Sequence, residues 1–398
     1  MRLFTPPREV PQPLEASDAG NAIACLSGLE GLARSIPTAV VPLIALDALG
    51  SKETVSYVYF WGSAVALVAT LNVGRLENLM ARRWVVTASM ALLAASSIVF
   101  TLADGPLFAL GVAMLATHAA IFSVSLSLYI LDNIERRHLT FNESRRMVRN
   151  GWAWAIGPIL GVWLWTKYGR AVPLGLSAGF CGLTVWYFWV MRLGPTPTFT
   201  PRSTAPSPLQ NIPRYFRQHY LRIAYVVTFS RGLFWASLFI YAPLYVVEAG
   251  LPTWMAGALL SAVATLLVVL SPIVHRAAAH FGARSVIISG FCSLGTSLIV
   301  LAAIGDPRPV GIAVWIWAAA GASVIDVVNN VPFMRTVRPR QRVEMTTVFS
   351  TWRETSSLLA PAIAAATLVV APFWTFYLLL AGLAFAAAAT ATHLPRRI

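Results

Sequence analysis

Long apolar runs, separated by short polar or Arg-rich stretches, repeat along almost the whole chain. Each run can cross a bilayer as a helix, because a span needs about 20 mostly apolar residues. The predicted spans lie near residues 22–46, 54–73, 84–103, 107–131, 150–166, 171–191, 222–246, 254–274, 284–304, 309–333, 345–370 and 372–392. The pattern therefore predicts an all-α membrane protein with twelve transmembrane helices.

The first and seventh predicted helices share residues at a fixed offset. Four positions return 201 residues later: Gly31, Leu32, Pro42 and Asp47 recur as Gly232, Leu233, Pro243 and Glu248. A duplicated membrane segment is typical of transporters built from two related halves. We predict two pseudo-symmetric six-helix bundles, residues 21–193 and 218–393, with tails at 1–20 and 394–398. A Pro-, Thr- and Ser-rich stretch from Gly194 to Pro213 predicts an extended cytoplasmic linker over 194–217.

Composition and charge agree with the membrane interpretation. The chain is 57% hydrophobic and 12% charged, whereas soluble domains are about 25% charged. The net charge of +14 comes mainly from 23 Arg residues on one side of the predicted spans, against four Lys or Arg on the other. Such a bias marks the cytoplasmic side. We therefore predict both termini inside a cytoplasmic (inner) membrane, with lipid rather than nucleic acid as the partner of the basic surface.

Enzyme motifs are missing from the sequence. There is no G-K-[ST] phosphate loop, no H-E-x-x-H and no G-x-S-x-G, and the three cysteines fall within predicted spans without metal-ligand spacing. We expect no enzyme activity, no metal and no cofactor. Transport would then draw on an ion gradient or on the gradient of the substrate itself.

Several charged residues lie inside the predicted spans. Arg231, Asp326 and Arg353 are each nine residues from a cytoplasmic flank, Glu354 is ten, and Glu30 is nine after Asn21. Nine helical residues rise about 13 Å, which is close to the middle of a hydrocarbon slab about 30 Å thick. Because unpartnered charges at this depth are expensive, we predict that they converge on one polar layer.

The spacing within that layer suggests roles. Glu30 and Arg34 are four residues apart and can bridge within one helix, either as a permanent structural pair or as a functional one. Asp326 has no cation nearby on its own helix, so it is the preferred proton-coupling carboxyl, with Glu30 and Glu354 as further candidates. Arg231 is the preferred contact for a substrate anion or a counter-ion.

The stretch from Gly74 to Arg83, GRLENLMARR, resembles a loop of the major facilitator superfamily. The family pattern is G-x-L-a-D-r-x-G-r-r, which Gly74, Leu76, Arg82 and Arg83 match, while Asn78 stands at the acidic position. A second, weaker copy follows 201 residues later. The resemblance implies a conformational role for Gly74, Asn78, Arg82 and Arg83.

The fifth predicted helix resembles the antiporter motif of exporters in the same superfamily. Gly157, Pro158 and Gly161 match its G-P-x-x-G centre, which implies a gating role for Gly157 and Pro158. The alternative is an ordinary close-packing site, since small residues and Pro also let membrane helices approach and bend.

The resemblance also implies that helices one, four, seven and ten line a central cavity. The substrate-binding candidates are Arg34, Arg231, His118, Asn329, Asn330 and Trp152, and Arg353 is a further gating candidate. Two of them have structural alternatives, because His118 can be a satisfied packing residue and Trp152 a lipid anchor.

The sequence thus predicts a monomeric secondary transporter that moves a small organic solute by alternating access. The favoured mode is proton-coupled efflux by antiport. The first alternative is a proton-coupled importer of an organic anion. The second is a superfamily-like protein that transports nothing and acts as a sensor or assembly factor.

Overall fold

The computed structural model describes residues 16–102, 107–133, 139–191, 208–337 and 341–395, and within these ranges the side chains at 16–19, 73–79, 82 and 131–133 are among those left out. These residues form helices and no strand. The helices are α1 (Ala16–Leu49), α2 (Lys52–Leu79), α3 (Arg82–Leu102), α4 (Leu107–Asn133), α5 (Leu139–Tyr168), α6 (Ala171–Val190), α7 (Pro208–Arg217), α8 (His219–Glu248), α9 (Trp254–Phe281), α10 (Ala283–Ile304), α11 (Val310–Val328), α12 (Val331–Thr336), α13 (Arg342–Ser350), α14 (Trp352–Val370) and α15 (Trp374–Ala391).

Ten helical stretches in the described ranges are long and apolar enough to cross a membrane. They comprise α1–α4, α6, α8–α10, α15 and the consecutive pair α11–α12. Helix α5 and the pair α13–α14 carry Arg and Glu near their starts, which lowers their apolar character, yet both pack inside the bundle. Together they account for the twelve predicted spans.

The two halves repeat the same helix pairings. In the first half α1 packs on α5 and α6, α2 on α4, and α3 on α4 and α6. In the second half α8 packs on α14 and α15, α9 on α11, and α10 on α11 and α15. The repeated glycines show the same relation, because Gly31 lies against α5 and Gly232 against α14. The prediction of two pseudo-symmetric bundles is confirmed.

Small residues bring α5 close to both α1 and α9. A side chain at Gly157 would meet Ser35, and one at Gly161 would meet the backbone of Ile36. On the other face, a side chain at Gly257 would meet the backbone of Pro158. The residues that resemble an antiporter motif therefore lie where α5 joins its own bundle to the opposite one.

Polar contacts join the two bundles at the end where α2 begins and α8 ends. Lys52 forms an ion pair with Glu248, and its ammonium nitrogen lies 4.4 Å from the centroid of the Phe373 ring. One turn along, the hydroxyls of Ser56 and Tyr241 are 2.6 Å apart. These contacts hold α2 against the second bundle and close this end of the interface.

From residue 194 onwards, the structure departs from the predicted elements in three places. Part of the predicted extended linker is helix α7, which packs on α8 and α13. The tenth span is interrupted between α11 and α12 at Asn329 and Asn330, where Pro332 near the start of α12 lacks an N–H donor. The eleventh span is interrupted at Thr351. Residues 1–15, 192–207 and 396–398 lie outside the described ranges, so the predicted domain boundaries stay predictions.

Candidate functional site

Glu30 is the centre of a buried charged cluster in the first bundle. It is 4% exposed, and its Oε1 lies 2.8 Å from Nε of Arg34, one turn further along α1. The same oxygen lies 3.4 Å from Nε2 of His118, which α4 brings in from the other side. The i, i+4 bridge predicted from the sequence is confirmed, and His118 is its third member.

The hydrogen bonds of His118 define what its second nitrogen can do. Nδ1 lies 2.8 Å from the backbone carbonyl oxygen of Ser89, and because a carbonyl can only accept, Nδ1 must donate. Nε2 therefore faces the carboxylate of Glu30 either as a protonated donor or as a lone pair. At 3.4 Å the approach to Glu30 is close, and Nε2 has no hydrogen-bond partner in the described part of the chain.

A second ion pair lies in the other bundle. Arg231 of α8 pairs with Asp326 of α11, and the Arg231 guanidinium carbon lies 4.7 Å from the centroid of the Trp352 ring. The guanidinium carbon of Arg353 lies 5.3 Å from the centroid of the same indole ring. Asp326 lacks a cation on its own helix, as predicted, but it has one from α8.

A cavity of about 620 Å³ lies beside the first cluster. This volume is in the range of small-molecule sites, which hold about 300–1,000 Å³. Its charged lining residues are Glu30, Arg34, Arg146, Arg353 and Glu354, and its other polar lining residues are Ser27, Ser63, Ser123, Ser127, Asn150 and Ser357. Helices α1, α2, α4 and α5 supply one wall and α14 the other, so the cavity lies between the two bundles.

Three guanidinium groups and two carboxylates line the cavity. Of these, Arg34 is paired with Glu30, and Arg146 donates to the hydroxyl of Ser27 at 3.4 Å. In the described part of the chain, no carboxylate lies within ion-pair distance of Arg353, and no cation lies within that distance of Glu354. Both side chains can therefore contact a solute.

A family model described as the Major Facilitator Superfamily matches residues 23–361. The chain belongs to the Major Facilitator Superfamily. Its fold is similar to the crystal structure of the nucleoside transporter NupG, with a TM-score of 0.73 and 14% identity over 94% of this chain and 98% of that one. It is also similar to the POT family transporter PepTSo, with a TM-score of 0.76 and 11% identity over 96% and 98%.

A further similar structure is a POT family transporter in complex with 5-aminolevulinic acid, with a TM-score of 0.77 and 9% identity over 93% of this chain and 94% of that one. Identities this low establish the fold alone. No curated protein matches the sequence significantly. Family membership and fold make the protein a multi-pass membrane transporter of the secondary type, and not an enzyme.

The stretch predicted to be the superfamily loop is only partly described. It is mostly helical rather than a loop, because α2 continues to Leu79 and α3 begins at Arg82. The side chains of Gly74, Asn78 and Arg82 lie outside the described residues. Arg83 is described, and its guanidinium carbon lies 5.4 Å from the centroid of the Trp189 ring on α6. The structure thus relates this stretch to α6 within the first bundle, while the conformational role of its residues stays a prediction.

Five of the six predicted substrate contacts do not line the cavity. Arg231 and His118 are buried, and His118 lies next to the lining residues Glu30 and Phe122. Asn329 is buried at the break between α11 and α12, where its Oδ1 has no hydrogen-bond partner in the described part of the chain. Trp152 is 65% exposed and belongs to an outward stripe of α5 with Val148, Ile156, Ile159 and Trp163. Such a stripe is typical of a lipid-facing surface.

Asn330, at the start of α12, is also absent from the cavity wall. Arg34, Glu30, Glu354 and Arg353 do line it. The polar layer predicted from the sequence is therefore divided into a cavity cluster and a separate Arg231–Asp326 pair.

Sequence reasoning missed seven polar residues of the cavity wall: Arg146, Asn150, Ser27, Ser63, Ser123, Ser127 and Ser357. Arg146 and Asn150 are the two that a pattern in the sequence could have indicated. The Arg-rich stretch 134–149 was predicted to be a loop, but α5 already begins at Leu139. Arg146 and Asn150 are then one turn apart on one face, and both reach the cavity. A signal was present, because extending the helical period of α5 towards its N-terminus would have put them on the same face.

Proposed function

We propose that this superfamily member is a proton-coupled transporter of a small organic anion, working as a monomer through the cavity beside Glu30. The observation that carries the proposal is the position of Glu30, whose carboxylate is shared by Arg34 and His118 at the cavity wall. A carboxyl in that position can bind a proton and an ion-pair partner in turn, and intramembrane carboxyl–His chains recur in proton pathways.

The lining charge supports an anion as the substrate. Arg353 lines the cavity with no carboxylate within ion-pair distance in the described part of the chain, and a guanidinium in a site shielded from water attracts an anion. Arg34 and Arg353 offer planar donor groups that suit a carboxylate or a similar oxyanion. The serine hydroxyls and Asn150 supply neutral polar contacts that could orient the rest of the solute.

The Glu30–Arg34 pair supplies the coupling step. While Glu30 is ionised, it occupies Nε of Arg34. Protonation of Glu30 removes that competition and frees the guanidinium for the substrate. Proton and anion then bind to the same state of the protein and cross together, which is symport.

The closed end of the interface supports a direction for the cavity. Lys52–Glu248 and Ser56–Tyr241 seal the end that the Arg distribution predicts to be outside. The lining residues of α1, α5 and α14 lie in the portions of those helices nearer the predicted cytoplasmic side. The conformation then corresponds to an inward-facing state in a cytoplasmic membrane with both termini inside.

Proton-coupled efflux by antiport is the second candidate. It is favoured by the close packing of Gly157, Pro158 and Gly161 at the junction of α1, α5 and α9, where the sequence resembles the antiporter motif. In that mode a cationic substrate would compete with the proton for Glu30, supported by Glu354. Substrate and proton would then occupy alternate states of the protein and move in opposite directions.

The sign of substrate-linked proton movement distinguishes these modes. Proteoliposomes with pyranine inside would receive organic anions (dicarboxylates and sulfonates) or organic cations outside, under an inward proton gradient. Faster internal acidification on anion addition supports symport, whereas acidification linked to release of a preloaded cation supports antiport. Protein-free liposomes and the Glu30→Gln variant are the controls. Proton movement that survives in Glu30→Gln contradicts the coupling role of this residue.

A further inference from the structure

Three aromatic rings form a row across the interface between the bundles. Trp154 of α5 and Phe239 of α8 have centroids 5.3 Å apart. Phe239 and Trp235, one turn apart on α8, have centroids 5.8 Å apart with planes 26° from parallel. At the near end, the guanidinium carbon of Arg34 lies 5.2 Å from the centroid of the Trp154 ring. The row therefore leads from the cavity cation into the second bundle.

The three rings are neither core residues nor lipid anchors. Each is half-buried, whereas the rings that fill the core of the second bundle, such as Trp315 and Phe376, are fully buried. The lipid-facing Trp152 and Trp163 on α5 are more exposed than any of the three. The row takes one ring from the first bundle and two from the second, so it crosses the interface, starting at Arg34 on the cavity wall and extending beyond the lining residues.

The indole of Trp235 also has an unused donor. Its Nε1 is buried and finds no acceptor in the described part of the chain. Trp189 donates to Thr87 at 3.1 Å and Trp317 donates to Ser293 at 3.0 Å. Trp315 also lacks an acceptor in the described part of the chain, but it is fully buried in the core, whereas Trp235 is only half-buried. A buried N–H without an acceptor is costly, so an acceptor brought by a solute would be favoured at this position.

We propose that this row binds the ring of the substrate, which makes the substrate a planar aromatic or heteroaromatic anion. Its negative group pairs with Arg34, and its ring packs against Trp154, Phe239 and Trp235. A ring substituent or ring atom with a lone pair accepts from Trp235. The inference rests on the proposed anion site and adds the chemical class of the solute.

The row also connects ring binding to movement of the bundles. Its rings belong to helices of different bundles, so a rocking motion changes the spacing between Trp154 and Phe239. A flat solute that contacts both helices binds best at one spacing, and it therefore favours the conformation that provides it. An anion without a ring would occupy Arg34 but would lack this preference.

A matched pair of anions tests the proposal. Benzenesulfonate and cyclohexanesulfonate have the same charged group and similar size, and both stay ionised at every working pH. The saturated ring is the more hydrophobic, so burial alone predicts that it binds at least as tightly. Favourable ring–ring geometry instead predicts that benzenesulfonate binds about three- to tenfold more tightly to the purified protein, measured by titration calorimetry.

Substitutions in the row test whether these rings cause the preference for benzenesulfonate. In Trp235→Leu and in Trp154→Leu we expect the affinity ratio to fall towards one, while Trp235→Phe keeps most of it. Trp163→Leu, at an outward position of α5 that is 45% exposed, is the matched control and should keep the wild-type ratio. Unchanged melting temperatures confirm that each variant is folded. A wild-type ratio of one, a ratio unchanged in Trp235→Leu, or no binding of either sulfonate overturns the inference.

The experiments distinguish a failure of the proposed anion symport from a failure of the proposed aromatic preference. If aliphatic anions drive Glu30-dependent proton movement while the two sulfonates bind equally, the anion symport stands and the aromatic preference is wrong. If the sulfonates show the expected ratio without any coupled proton movement, the aromatic site stands and the coupling is wrong.

Discussion

The ion pair at the closed end of the interface yields a prediction about conformational populations. Replacing Glu248 by Gln removes the charge that holds Lys52 while keeping the size of the side chain. In the alternative conformation, in which this end opens, the two residues are apart, so the substitution does not change the free energy of that state. We therefore expect Glu248→Gln to shift the protein towards the state open at the Lys52 end.

The exposure of the two side chains determines the size of the shift. The Lys52 side chain is 14% exposed and that of Glu248 is 31% exposed, so the pair is partly screened by solvent. Fully exposed pairs contribute about 0.2–1 kcal/mol, and breaking a fully buried pair costs about 3–5 kcal/mol. For a partly screened pair we take the upper end of the exposed range, about 1 kcal/mol. That value changes a population ratio about fivefold, since about 1.4 kcal/mol corresponds to a factor of ten.

Cysteine labelling measures this minor population directly. Ser63 lines the cavity, so Ser63→Cys can be reached from the Lys52 end only when that end opens. The assay needs a background in which Cys25, Cys181 and Cys292 are replaced. With a membrane-impermeant thiol reagent applied from that side, the labelling rate is proportional to the population of the open state. We expect Glu248→Gln to raise this rate about fivefold.

The matched control is Glu53→Gln. Glu53 is an acidic residue next to Lys52 at the start of α2, and no cation lies within ion-pair distance of it in the described part of the chain. Its replacement should leave the labelling rate within twofold of the parent. An equal increase in both variants, or no increase in Glu248→Gln, refutes the reasoning that this pair closes the interface.

Three further predictions concern packing and buried charge. Gly161→Ala puts a methyl group against the backbone of α1 and should lower the free energy of unfolding by about 1–3 kcal/mol. Gly179→Ala is the control and should cost less, because no atom lies within 4 Å of the added carbon. Thermal melting in detergent compares the two variants. Asp326→Asn leaves the charge of Arg231 buried without its partner and should lower the free energy of unfolding by about 3–5 kcal/mol. The double variant Arg231→Leu and Asp326→Leu removes both charges and should cost less in the same melting assay. His118→Asn removes the ring nitrogen facing Glu30, so we expect proton-driven transport in proteoliposomes to fall more than the melting temperature does. Full proton-driven transport in that variant would contradict a role of His118 in proton coupling.

The sequence predicts the architecture well because the bilayer imposes a simple rule. A span must be apolar over its whole length, so span number and repeat offset can be read from hydropathy and spacing. The Glu30–Arg34 bridge is equally local, since it needs only one helical turn. The breaks at Asn329 and Thr351 were missed because hydropathy does not register a break of one or two residues inside an apolar segment.

Contacts between residues on helices that are distant in sequence cannot be predicted from hydropathy or from spacing within one helix. Asp326 has no cation on its own helix because its cation comes from α8. Trp152, and not Trp154, was predicted to contact the substrate, because helix rotation is not encoded in spacing alone. Packing of Gly157 and Gly161 on α1 sets that rotation, which turns Trp154 inward and Trp152 outward. The aromatic row across the interface needs both bundles in place before any of its members stands out.

The repeated pairing of charges carries a final consequence for the mechanism. In each bundle a charge on the first helix pairs with a group on the fourth, Glu30 with His118 and Arg231 with Asp326, and the positions 30 and 231 differ by the repeat offset. The two halves thus use the same helix pair for a buried contact, but the charge on the first helix is negative at Glu30 and positive at Arg231. A guanidinium stays protonated at any working pH, whereas a carboxyl–imidazole pair can take up and release a proton. In the proposed mechanism the second half then holds a fixed charge pair, while the first half holds Glu30, the coupling carboxyl, which lines the cavity. Coupling a proton to a solute requires that the proton-binding group lie beside the solute, and of these four residues only Glu30 lines the cavity.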